Sequence, residues 1–199
     1  MSIDRRRFCC AFALLAAAPF SPFTRAQSRE VVMERIPLTK PTHGVPNSRY
    51  PVMLYHHVIP PDTADNAAYL EHLFTANGWP PQWRYPVYPF THFHTTTHEV
   101  VGCFAGTARL QLGGEQGPIH EVTPGDVLLI PAGVGHKQIS ASKEFMLVGA
   151  YPAGFSPDLC RDEPALLAAR TNAAQAVPRP KSDPVTGHNE GVLKYWAAP

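Results

Sequence analysis

Charge is scarce in this chain. Only 17% of its 199 residues are Asp, Glu, Lys or Arg, and the net charge is +1 with His neutral. Four of the 17 basic residues, Arg5, Arg6, Arg7 and Arg25, fall in the first 26 positions, together with Asp4. Setting that segment aside leaves 13 basic and 15 acidic residues, a net charge of −2. No basic block remains, which argues against nucleic acid or an anionic membrane surface as a partner. The apolar run Phe8–Phe20 is shorter than the ~20 residues a membrane-spanning helix needs. No internal repeat is visible. Nor is there a Ser/His/Asp arrangement or a second pair of carboxylates to serve as nucleophile or general acid and base.

The opening segment instead has the make-up of an export signal. A basic cluster, Arg5–Arg7, precedes the apolar run, and Thr24-Arg25-Ala26 offers small residues where a signal peptidase reads the chain. Arg5-Arg6-x-Phe8 resembles the twin-arginine signal, which exports proteins that have already folded. Asp4 and Cys9 depart from its usual neighbours. The expectation is a signal peptide over residues 1–26 and a mature protein that is periplasmic or secreted, with no membrane contact after cleavage. Two cysteines then remain, Cys103 and Cys160. The exported compartment permits a disulfide. Cys103, four residues after Glu99 on the same strand face, reads better as a small buried thiol.

The remaining length suits one domain. Val31–Ile36 and Pro51–Ile59 read as strands, and Asp65–Asn77 as an amphipathic helix with Ala68, Leu70, Leu73 and Phe74 on one face and Gly78 after its end. From Trp83 to Tyr151 short β-rich runs alternate with turn signals, among them Gly113–Gly117 between two alternating runs. That spacing predicts a sandwich or small barrel. A helix is expected at Pro164–Ala174, followed by a Pro/Gly-rich tail whose Trp196 carries apolar surface better buried against the barrel. The predicted organisation is an arm and helix packing on the barrel over residues 27–82, a barrel core over 83–152, and a C-terminal helix with wrapping tail over 153–199.

Histidine is the residue present in a pattern. His92 and His94, two apart on a strand, project to one face and can converge on one ion. Thr95–His98 forms a turn, and Glu99 returns on the neighbouring strand, where its carboxylate can reach the same ion. His136, after Pro131-Ala132-Gly133, enters from another side and completes three imidazoles and one carboxylate. Such a set leaves positions open for water, oxygen or substrate on a six-coordinate metal.

These two segments resemble the two motifs of the cupin family. The first runs His92, His94, four residues, Glu99, six residues, Gly106; the second runs Gly125, five residues, Pro131, Gly133, then His136. Pro86 stands where the family usually has glycine, and Ser140 where it usually has asparagine. Closer still, "HFHTTTHEVVG", "LQLGGEQG", "GDVLLIPAGVGHK", "VGAYPAG" and "DPVTGHNEGVLKYW" are similar to the YjlB-like single-domain bacterial cupins. The resemblance implies an all-β, double-stranded β-helix (a jelly-roll barrel) with a few peripheral helices. It also implies one divalent metal ion on His92, His94, Glu99 and His136, the ion being manganese, iron, zinc or nickel. Homodimers are common in this architecture, though no residue here requires one.

Other polar residues carry weaker expectations. His98 adjoins Glu99 and faces the other way in an extended chain, as a surface residue or a support behind the ligands. His56 and His57 lie on a strand that would pass near the barrel mouth, with a surface role favoured; Gln138 shares a face with His136; Tyr88 and Phe90 share parity with His92; Arg109 would face the cavity if its strand turned that way. The function expected is a metal-dependent enzyme of the oxygenase or isomerase type acting on a small molecule. The alternatives are a binding protein for a sugar or organic acid without turnover, and a purely structural metal.

Overall fold

The computed structural model describes residues 30–196. The export-signal segment, residues 1–26, lies outside the described residues. The chain begins with β1 (Val32–Ile36), β2 (Val52–His56), α1 (Asn66–Ala76) and β3 (Pro81–Tyr85). It continues through β4 (His92–Phe93), β5 (Glu99–Ala105), β6 (Ala108–Leu112) and β7 (Ile119–Val122). Then come β8 (Val127–Ile130), β9 (His136–Ala141) and β10 (Met146–Ala150). The last part holds β11 (Cys160–Arg161), a 3-10 turn at Pro164–Leu166, α2 (Leu167–Ala176) and the short α3 (Val192–Tyr195).

Two antiparallel sheets result, one of six strands in the order β1-β2-β8-β5-β10-β3 and one of five in the order β11-β4-β9-β6-β7. This is the all-β, double-stranded β-helix barrel expected from the motifs. Period-two alternation assigns side chains to faces. Leu54, Val101, Leu128 and Leu147 of the larger sheet meet Leu110 and Leu112 of the smaller one in the barrel interior. The alternate residues Met53, Tyr55, Val100, Leu129 and Val148 form a second core on the outer face, with Leu70 and Phe74 of α1 and with Trp196. Both faces of the sheet are therefore buried at its inner strands β8 and β10, which is why these read as continuous apolar strings rather than alternating ones.

Helix α1 starts where Asp65, its cap, accepts a 3.0 Å hydrogen bond from the Ala68 N–H. It closes with Trp79 N–H bonding to Phe74 O at 2.8 Å. Strands β1 and β2 come from the segment expected to pack on the barrel, and they are strands of the six-stranded sheet itself, β2 pairing with β8. The C-terminal tail folds back over the outer core. Trp196 is fully buried, stacks on Tyr50 at 5.1 Å between ring centroids, and donates its indole N–H to Pro51 O. Asp183, also fully buried, accepts from the backbone N–H groups of Val185, Thr186 and Val192 and from the Tyr55 hydroxyl, tying the tail to β2. Cys103 and Cys160 are both buried and both free thiols; burial pushes Cys103 up to about 12.

Candidate metal centre

The site is built across the two sheets. Strands β4 and β9 pair with His92 directly opposite His136, which brings the two motif segments together at the same level of the barrel. Gly133 makes the approach possible. It holds φ of +86°, a conformation that suits glycine, and its N–H donates to His94 O at 2.8 Å, so the loop before β9 is clamped to the strand end that carries His94. Glu99 enters from the six-stranded sheet at the start of β5, paired with Ile130 of β8.

His92, His94 and His136 are all buried, and each offers a ring nitrogen such that the three atoms lie within 4.8 Å of one another. These three buried histidines could hold a metal ion. The second ring nitrogen of each is already engaged. Nδ1 of His92 faces Phe90 O at 3.2 Å, Nδ1 of His136 faces Val134 O at 3.1 Å, and Nδ1 of His94 faces Asp158 O. A carbonyl can only accept, so each Nδ1 carries a proton, and Nε2 is the nitrogen of each ring left for a metal. That is the tautomer a metal requires.

Glu99 stands beside this triangle. Its Oε2 is 3.1 Å from Nε2 of His136 and 3.5 Å from Nε2 of His94, yet it is a buried oxygen with no well-directed hydrogen bond. A buried carboxylate oxygen beside three imidazoles, with no well-directed hydrogen bond of its own, is the donor chemistry of a cation site, and the residues present fit such an ion. The other oxygen, Oε1, accepts from the Tyr151 hydroxyl at 2.9 Å, and Tyr151 in turn accepts from the Trp83 indole at 3.0 Å. Burial would raise Glu99, but His94 and His136 outweigh it and hold the carboxyl well below its ordinary range. Burial also opposes charge on His94, but there Glu99 prevails and raises it. Burial, then His136, pushes His92 down to about 3. Burial and then Glu99 raise the Tyr151 phenol, so it remains a donor.

Asp158 braces the turn that follows His94. Its carboxylate accepts from the Thr95 N–H and hydroxyl, both at 2.6 Å, from the Thr96 hydroxyl at 3.2 Å and from the Cys160 thiol at 3.2 Å. Neither Asp158 nor Tyr151 was singled out by the sequence pattern. A signal for Tyr151 existed in strand pairing: Ala150 lies opposite Val100, and one step further brings Tyr151 opposite Glu99. For Asp158, far along the chain, no local signal exists.

The centre opens into a cavity of about 500 Å³ lined by the three histidines and Glu99 at one end and by Trp83, Val87, Tyr88 and Leu159 among others. Tyr88 meets His92 edge-on at 5.1 Å between ring centroids. Of the other polar candidates, His98 departs from its expectation. His98 is not a surface residue and does not reach the ligands: it is buried on the outer core beside Trp196, and its Nδ1 accepts from the Ala132 N–H at 2.9 Å. Arg109 is exposed and paired with Glu121 across β6 and β7, so it does not enter the cavity. His56 and His57 are not among the cavity residues; His56 pairs with Asp126 at 2.7 Å. Gln138 is likewise absent from the lining.

Residues 80–168 match the family described as AraC-like ligand binding domain. Over 147 residues the chain is 33% identical to the protein YjlB of Bacillus subtilis (strain 168), covering 74% of this chain and 86% of that one. Solved structures similar to it include the 11S allergen from Cocos nucifera L., with TM-score 0.33 and 18% identity over 46% of this chain. Another is vicilin from Solanum lycopersicum (tomato), with TM-score 0.30 and 15% identity over 66% of this chain. The chain spans 30% of the length of each of these two structures. With the motifs, the barrel and the YjlB relative in agreement, the chain belongs to the cupin family, alongside the YjlB-like single-domain cupins.

Proposed function

We propose that this cupin is an exported, metal-dependent enzyme of the oxygenase or isomerase type that acts on a small molecule. The divalent ion would be held by His92, His94, His136 and Glu99. The observation that carries the reading is the arrangement of the three imidazoles: each has its Nδ1 committed to a backbone carbonyl and its Nε2 directed to a common centre at the inner end of an open cavity.

A bound divalent ion supplies polarisation of a substrate oxygen or, as iron or manganese, access to oxygen chemistry. The chain's own residues do the rest. The three carbonyls orient the rings, Tyr151 holds Glu99 by Oε1 and leaves Oε2 directed at the centre, and Val101 and Val87 add apolar lining to the cavity. Glu99 is committed beside the histidines and does not serve as a general base.

The test begins with elemental analysis of protein made through its own export route. Wild type should carry about one divalent ion per chain, and His94→Ala and His136→Ala should each lose most of it. A metal-free wild type, or variants that retain the ion, would overturn the assignment. Export by the twin-arginine route is part of the proposal, and Arg5→Lys with Arg6→Lys should abolish it. A second reading, a binding protein without turnover, is favoured by the match to a ligand-binding family. Recovery of an unchanged ligand from the metal-loaded protein would support it, whereas a metal-dependent product supports the enzyme.

A further inference from the structure

In the cavity in front of the histidines the charged groups and the Tyr151 hydroxyl are engaged with the protein, and what is left to a ligand is mostly apolar surface with the Tyr85 and Tyr88 hydroxyls. Of the charged side chains in the lining besides Glu99, Arg84 is held bidentately by Glu71 at 2.7 and 2.8 Å, and Asp158 is occupied by Thr95, Thr96 and Cys160. The Tyr151 hydroxyl is spent between Trp83 and Glu99. A polyhydroxylated or multiply anionic ligand entering here would find the Tyr85 and Tyr88 hydroxyls but few other free partners, so it would lose more hydrogen bonds to water than it regains, a cost that selects against it.

The apolar surface has the opposite character. Tyr85, Tyr88 and Leu159, all in this lining, are 58%, 42% and 52% exposed. Large apolar side chains left in water together around one opening mark a binding mouth. The indole of Trp83 forms an aromatic wall, and the backbone makes room for it. Gly149 of β10 lies beneath that ring, and a Cβ there would come within 2.0 Å of it. A side chain at 149 would push the indole off the strand.

We infer that the site takes a ligand with a rigid apolar body, aromatic or alicyclic, and oxygen donors confined to one end. The body lies between Trp83, Tyr88 and Leu159, and the oxygens point to the three histidines. Sugars and small aliphatic polyacids are disfavoured. This inference rests on the metal-centre reading above, and it narrows that site's substrate class.

The test holds the oxygen end constant and varies the body. Zinc-loaded protein, its metal content first measured, is titrated calorimetrically with mandelate, lactate and gluconate, three α-hydroxy acids with a phenyl, methyl and polyhydroxylated body. Mandelate should bind at least tenfold tighter than either of the others. Leu159→Ala should shrink that preference severalfold while zinc content is unchanged. Equal binding, a preference for gluconate, or no binding by any of the three to zinc-loaded protein would overturn the inference and leave the metal centre standing. Failure to take up zinc at all would instead remove the metal-centre reading beneath it.

Discussion

Nε2 of His136 lies 3.1 Å from Oε2 of Glu99, although the two residues come from different motifs and from different sheets. The contact joins the five-stranded sheet to the six-stranded one inside the barrel, and it brings a carboxylate to imidazoles whose free nitrogens need a cation. The consequences of that meeting can be measured residue by residue.

His98 separates metal binding from folding. His98→Ala should retain the ion, because its ring faces the outer core and not the cavity. It should nevertheless destabilise the protein by about 1–3 kcal/mol, since the buried Ala132 N–H loses its acceptor. Metal analysis with a denaturant titration reads both effects; loss of metal with unchanged stability would contradict the placement.

Tyr151→Phe removes the donor to Glu99 Oε1 and the acceptor of the Trp83 indole. Supports of this type change metal affinity by roughly 10- to 100-fold. The variant should fold, bind the ion about tenfold more weakly in a competition titration with a chelator, and show a broadened Mn(II) resonance as the carboxylate gains freedom. Wild-type affinity would show that Glu99 is positioned without its help.

Asp158 predicts an acid-sensitive contribution. Burial would raise its carboxyl, but hydrogen bonds from Thr95, Cys160 and Thr96 outweigh that and hold it at about 2. The folded value lies below the unfolded value of about 3.9, so the stabilisation is fully present above pH ~3.9 and is lost as pH falls toward 2. The stability gap between wild type and Asp158→Asn should therefore be constant near pH 5–6 and close progressively below pH 4. A gap that widens on acidification would refute the sign.

Trp196 anchors the tail. Trp196→Ala removes a fully buried ring, its stacking on Tyr50 and its bond to Pro51 O, and should cost about 3–5 kcal/mol. Proteolysis should then cut first within residues 178–191, releasing the tail from β2 while the barrel persists.

Much of this architecture was legible locally. The i, i+2 spacing of His92 and His94 places both on one strand face, and the Pro-Ala-Gly turn before His136 announces a sharp reversal. Asp65 and Gly78 bracket α1 by the ordinary signals of helix start and stop. These features depend on neighbours a few residues away, whose geometry the chain itself dictates.

His98 shows where that legibility stops. Alternation correctly turns it away from Glu99, but only the packed tail makes the opposite face an interior, because Trp196 and Pro178 arrive there from far along the chain. Arg109 could face either way until the pairing of β6 with β7 and β9 was set.

By itself the sequence determined a β-rich sandwich or small barrel and the four candidate ligands, since strand periodicity and turn chemistry act over short spans; the resemblance to the cupins narrowed it to the barrel. Tertiary structure alone decided the partners that orient them, Tyr151 and Asp158, and the apolar mouth at Tyr85, Tyr88 and Leu159. Those depend on strand register and on the return of distant segments, and each contact forms only once the entropy of closing a long loop has been overcome by the burial of the core.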